Sequence, residues 1–422
     1  MIFKEALISV KKDKIRSFFY FLTLLLTECF IYIFFNISFS DQAGFHVLYS
    51  DNNMVTFLTV VVIIICMIVA CLANDFFIKN KSKTMAIYLV GGATYLQLAS
   101  FLLIQMLLLL VISLPLSYLI VMLLKPLLNK ILITGFVLKY ASLVATVTIL
   151  TILIIMMVLL NLGFAYRMTI YNLLNETKNN LKKKIPFPFE ITITQRTKNI
   201  LIILLLIFSI SQIYISGNDR QGFLFACLIG LIAFYFMLDE MLIPFINKKL
   251  EETDPIHLVT LGYLRYDIRH NKFYIMLYLT SQMLFISIMV ATGSSQIEQA
   301  LSFISLIMIN LLLLLALSFK YSASLASRLK ELETLTQCGY NLKQIKTICN
   351  RQVTNYYGLL FIASLFFLIN IFMSLLFHHL LTFDTVINIL IMTYIPFLII
   401  YMMVVGSYRF MYQSRNTISY VK

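Results

Sequence analysis

A chain of 422 residues that is 60% hydrophobic and only 12% charged is too apolar for a soluble domain. Its formal charge of +14 does not mark a nucleic-acid binder, because the basic residues flank long apolar runs, as anchors at a membrane face do. Six cysteines, at 29, 66, 71, 227, 338 and 349, show no CxxC pair or metal-ligand spacing and read as small apolar side chains.

Residues 1–17 interleave Lys4, Lys11, Lys12, Lys14 and Arg16 with Ile2, Phe3, Leu7, Ile8 and Val10, which predicts an amphipathic helix at the membrane interface. Ten apolar runs follow, each near the ~20 residues that cross a bilayer core. They lie at 18–37, 54–76, 98–124, 132–161, 199–215, 222–246, 273–292, 301–320, 355–377 and 385–407. The first is too long for a cleaved signal and lacks a small-residue cleavage site, so it is expected to span. Hydrocarbon offers the backbone no partners, so every run is expected to be helical. Pro115, Pro244 and Pro396 are expected to bend their helices.

With the N-terminus inside, all Lys and Arg except Lys125, Lys130, Lys139 and Arg220 fall in inside segments or at their edges, which sets the orientation. Outside loops are short, and the longest, 38–53, carries Asp41 and Asp51. The inside stretch 165–198, with Lys182, Lys183, Lys184, Pro186 and Pro188, reads as a linker. Residues 255–272 mix apolar positions with Arg265, Asp267, Arg269 and Lys272 and resemble the N-terminus again.

The chain repeats at about 250 residues. Asp13-Lys-Ile-Arg-Ser-Phe-Phe-Tyr20 loosely matches Asp267-Ile-Arg-His-Asn-Lys-Phe-Tyr274. Lys83 precedes Gly92 by nine residues, as Lys330 precedes Gly339, and Gln105 and Gln352 keep the same offset of 247. Each site reads as a short helix on the inner side, a tight Gly turn and a helix rising into the bilayer. Such an element either anchors the loop or is gripped by another protein. The fold expected is all-α and polytopic, with about ten spans. Two four-span copies, 1–164 and 255–422, flank a linker and two-span insert at 165–254, in a parallel repeat.

These features resemble the FtsX-like/MacB-like (type VII) permeases of ABC transporters, and within them the ten-helix BceB-like group of Gram-positive bacteria that serves antimicrobial-peptide resistance and bacteriocin export. The second-copy stretch Arg328-Leu-Lys-Glu-Leu-Glu-Thr-Leu-Thr-Gln-Cys-Gly339 keeps the family pattern best; the first copy lacks its acidic residues and has Met85 and Ala86 there. The chain departs from that group in having only 293–300 where a large extracellular domain usually stands between spans seven and eight. The resemblance implies a permease in the cell membrane, not itself an enzyme, that moves an amphipathic peptide, lipopeptide or lipid. It implies two copies of a separate ATPase subunit, which would hold the ATP and Mg, docked on 79–96 and 324–343. Lys83, Tyr88, Lys330, Glu331, Glu333 and Tyr340 are the docking residues it points to. No GxxxxGKS or GxxxxGKT occurs, so a P-loop is not expected in this chain. No cofactor, metal or nucleic acid is expected.

Charges away from the ends of spans are few: Glu28 in the first, Lys139 in the fourth, Asp239 and Glu240 in the sixth. A lone charge in lipid is costly, so each is expected to face protein, water or the interface. Glu28 has three open roles: binding a cationic substrate, binding a proton, or pairing with another helix. Two other functions stay open, a signal-transmitting subunit that regulates a kinase or hydrolase, and an ion-coupled transporter using Glu28 and Lys139.

Overall fold

Apolar segments that must satisfy their own backbone groups have one cheap solution, and among the described residues every regular element is a helix. The computed structural model describes residues 2–12, 14–38, 53–79, 81–132, 140–167, 195–216, 220–250, 254–291 and 296–419. Nine helices among them are long and apolar enough to cross a membrane, the composition of a polytopic membrane protein.

Contacts divide the chain into two units, Met1–Glu190 and Ile191–Lys422. The first holds α1 (Ile2–Lys12), α2 (Lys14–Ser38), α3 (Asn53–Lys79), α4 (Ser82–Val90), α5 (Tyr95–Leu132) and α6 (Tyr140–Arg167). Helix α2 packs against α3, α5 and α6. Polar side chains tie these helices together where apolar attraction between helices is absent. The Tyr20 hydroxyl donates to Asn74 Oδ1 (3.1 Å), Asn74 Nδ2 donates to Asn161 Oδ1 (2.8 Å), and Ser142 Oγ donates to Asn36 Oδ1 (2.6 Å). The outer faces of α5 and α6 expose Val111, Leu119, Ile155 and Leu159, the kind of surface a lipid tail solvates.

The second unit holds α7 (Gln195–Ile215), α8 (Arg220–Met237), α9 (Ile243–Leu250), α10 (Pro255–Ala291), α11 (Gln296–Gln337), α12 (Leu342–Phe377) and α13 (Phe383–Ser419). Helix α10 packs against α11, α12 and α8; α13 lies on α11 and α12; α7 lies on α8 and α12. Gly230 lets α7 approach α8, since a Cβ there would sit 2.5 Å from Ser209 Oγ. Ser209 in turn donates to Ala226 O (2.8 Å).

The internal repeat reappears inside each unit as the same turn. Gly92 has φ +87° and Gly339 φ +91°. Ala93 N–H donates to Tyr88 O and Gly92 N–H to Leu89 O, both 3.0 Å. Tyr340 N–H donates to Leu335 O and Gly339 N–H to Thr336 O, both 3.1 Å. Each is a Schellman end, and each is followed by a capping box. Thr94 pairs with Gln97, whose Oε1 accepts from Thr94 N–H (2.9 Å), and Asn341 pairs likewise with Gln344 (2.8 Å). Every pair keeps the 247 offset. It continues up the next helix, where Leu98, Gln105, Leu109, Ser117 and Val121 are buried and so are Ile345, Gln352, Tyr356, Ser364 and Leu368.

Several expectations change. The helix expected within 324–343 is not a separate short one: up to Gln337 it is the end of the 42-residue α11. In the first copy one helix ends at Lys79 and α4 starts at Ser82, whereas Arg328-Leu-Lys-Glu-Leu-Glu333 is made of good helix formers and stays within one helix. Likewise 255–272 is continuous with the helix after it, in α10. The third expected span ends near where it was expected, at Pro126, but its helix does not: α5 carries Lys125, Pro126 and Lys130 on to Leu132. The seventh expected span, 273–292, lies on α10 and is not among the nine; Thr280-Ser-Gln282 interrupts its apolar run, and its last residue lies outside the described residues. Most of the expected linker, 168–194, is also outside them.

Candidate functional site

The sharpest polar feature of the first unit is Glu28, on α2. It is 2% exposed and surrounded by apolar helices. Its Oε1 accepts a hydrogen bond from Ser113 Oγ on α5 (2.6 Å), while Oε2 has no hydrogen-bond partner among the described residues. Glu28 lines a cavity of about 240 Å³ between α2, α5 and α6. Tyr32, Ser117, Tyr118, Thr146 and Val147 also line it. The rings of Tyr32 and Tyr118 lie 5.7 Å apart. Tyr118 is 42% and Val147 47% exposed, so the cavity is a cleft open along one side.

The second unit has a counterpart without the charge. The offset of 254 that aligns Tyr20 with Tyr274 aligns Glu28 with Gln282. Gln282 is buried, and its Oε1 accepts from Ser364 Oγ (2.7 Å). Ser364 is the offset equivalent of Ser117; in the first unit the hydrogen bond comes one turn earlier, from Ser113. Sequence reasoning missed these serines. The spacing of Ser113 and Ser117 opposite Glu28 becomes meaningful only once α2 and α5 are known to touch.

Lys139 falls within 133–139, outside the described residues. Asp239 and Glu240 lie on a π turn, Leu238–Leu242, between α8 and α9. Pro244 has no N–H to give the carbonyl four residues back, that of Glu240. Gln195 Nε2 takes that place, donating to Glu240 O (2.9 Å) and to Glu240 Oε2 (3.0 Å). Glu240 also pairs with Lys198 (3.6 Å), and Asp239 pairs with Lys272, whose ammonium lies over the Tyr235 ring. Both carboxylates are therefore engaged in holding α7, α8 and α10 together.

The turn after α4 is the other candidate. Met85 and Ala86 are buried with Ala6, Ile78, Leu98, Phe101 and Leu102, so α4 is clamped between α1 and α5. Lys81 Nζ donates to Ser9 Oγ (2.9 Å), and Gln105 Nε2 reaches Ala6 O (3.5 Å). Tyr88 also turns inward: its ring meets Phe101 edge-on and its hydroxyl donates to Glu5 Oε2 (3.1 Å). Burial first, then the Glu5 carboxylate, holds its pKa above the ordinary tyrosine value. The outward positions of α4 are Ile87 and Val90, 70% and 71% exposed. Lys83 lies on α4, and Lys330, Glu331 and Glu333 on α11, with side chains outside the described residues. Tyr340 follows the second turn and its hydroxyl donates to Pro255 O (3.4 Å), tying that turn to the start of α10.

Among the described residues no group of three or more His, Cys, Asp or Glu is placed to hold a metal ion. No protein-family model matches the chain, and no curated protein sequence does either.

Proposed function

We propose that this chain is the membrane subunit of a transporter in a bacterial cell membrane, coupled to two copies of a separate ATPase that grip the two Gly turns. Its cargo is an amphipathic peptide, lipopeptide or lipid. The supporting observation is the recurrence, 247 residues apart, of one turn built from a Schellman end and a capping box. Rigid turns of this kind transmit a push from below into the helix that follows, α5 in one unit and α12 in the other. In the first unit Ile87 and Val90 give that turn an exposed apolar surface, whose burial against a partner is favourable at ~25 cal/mol per Å². The basic ends of the helices meet anionic headgroups.

The test is co-purification of the chain from native membranes, with ATPase activity of the complex as readout. Replacing Ile87 and Val90 together by Asp removes no buried contact, so the chain should still fold while the ATPase is lost. Replacing Lys330, Glu331 and Glu333 together by Ala should uncouple hydrolysis from transport. An unchanged complex with unchanged transport-linked hydrolysis in both variants would contradict the docking assignment.

A further inference from the structure

We infer that the cleft at Glu28 is a binding site for an alkylammonium: one primary ammonium group on an apolar chain, entering from the lipid phase. The reading goes beyond a coupled ATPase and does not depend on one.

Apart from the hydroxyls of Tyr32 and Tyr118, the polar groups lining the cleft present acceptors. Ser117 sits beside the Glu28 carboxylate and places its hydroxyl hydrogen within reach of Leu114 O (2.7 Å), and Thr146 spends its own on Ser142 O (2.7 Å). Ser113, which does not line the cavity, spends its hydrogen on Glu28 Oε1 or on Leu110 O (2.9 Å). What Ser117 and Thr146 offer the cavity is lone pairs, beside the Glu28 carboxylate. A primary ammonium carries three donors and no acceptor. The acceptors near its three N–H groups would be the Glu28 carboxylate, Ser117 Oγ and Thr146 Oγ1. A neutral alcohol would supply one donor, and an anion would face only repulsion. The aromatic rings of Tyr32 and Tyr118 add faces that favour a cation. Leu114, Leu143, Val147 and Leu150 supply the apolar wall for the chain. Among the described residues no Lys or Arg lines the cavity. Its volume of about 240 Å³ equals that of about eight waters, room for the ammonium head and the first carbons of a chain.

The second unit supplies the control. Gln282, at the position equivalent to Glu28, keeps the serine hydrogen bond but has no charge. An amide is therefore compatible with this packing, and Glu28→Gln is expected to fold. Of the two equivalent positions only the first carries a carboxylate, so one site per chain is expected.

The test is native mass spectrometry of the purified full chain in nonionic detergent, titrated with decylammonium. Wild type should bind one per chain. Decyltrimethylammonium, which has the charge but no N–H, and decanol, which has no charge, should each bind at least tenfold more weakly. Glu28→Gln should weaken decylammonium at least tenfold. Val147→Trp leaves the carboxylate in place and fills the cleft, and it should abolish binding even if Glu28→Gln proves unstable. Equal affinity for decylammonium and decanol would make the cleft an apolar groove for lipid tails and overturn the assignment. Undiminished binding to either variant would overturn it as well.

Discussion

Replacing Gly92 by Ala isolates the cost of the turn that the two units share. At φ +87° an L-residue is in the left-handed region, and a Cβ placed there meets nothing within 4 Å. The penalty is therefore backbone strain alone, about 1–2 kcal/mol for alanine. Gly339, with φ +91° and equally open surroundings, should show the same cost. Four amides report on each turn: Gly91, Gly92, Ala93 and Thr94 in the first, Cys338, Gly339, Tyr340 and Asn341 in the second. If local opening exposes them, 1–2 kcal/mol translates to about 5- to 30-fold faster hydrogen exchange. Asn adopts this conformation more readily than Ala. The expected order of exchange is therefore Gly slowest, Asn intermediate and Ala fastest, at both turns. The assay is hydrogen exchange by mass spectrometry on the purified chain in detergent. Equal exchange in the Gly and Ala forms would refute the reasoning. So would a change in one turn and none in the other, because it would mean that the two turns are not the same device.

Two other perturbations test how the second unit is held. Gly230→Ala should destabilise the contact of α7 with α8 by about 1–3 kcal/mol, because Ser209 Oγ is fixed by Ala226 O and cannot yield without losing that bond. Adding Ser209→Ala should recover much of the loss, and purely additive effects in thermal unfolding would show that the clash is not the cause. At the ion pair, Asp239→Asn should cost more than Lys272→Met, since Lys272 is 8% exposed and Asp239 42%. Losing the acid strands a buried ammonium, whereas the acid left behind can turn to water. Unfolding midpoints in the reverse order would contradict the burial argument.

Much of this was legible along the chain. The lengths of the apolar runs led to helices because backbone polarity in hydrocarbon leaves little choice. The Gly92 and Gly339 turns were visible because only a few residue types tolerate a positive φ, and Gln105 and Gln352 kept their register beside them. The capping boxes at Thr94–Gln97 and Asn341–Gln344 carry a pattern that sequence alone displays, and it went unread. Helix ends were less legible. Lys125, Pro126 and Lys130 read as a loop yet continue α5, because side-chain polarity does not by itself break a hydrogen-bonded backbone.

Contacts between distant segments were not legible at all. Asp239 and Glu240 gave no hint that Lys272, Lys198 and Gln195 would claim them. Tyr88 read as a docking residue, and nothing along the chain showed that its ring and hydroxyl would face Phe101 and Glu5. Glu28 read as a charge in search of a role, and only packing brought Ser113 to one oxygen and a cleft beside it. Periodicity and local backbone preference act within one or two helical turns, so the chain alone determines its helices and their caps. Which faces meet depends on shape complementarity between segments tens of residues apart, and that is settled only when the helices assemble.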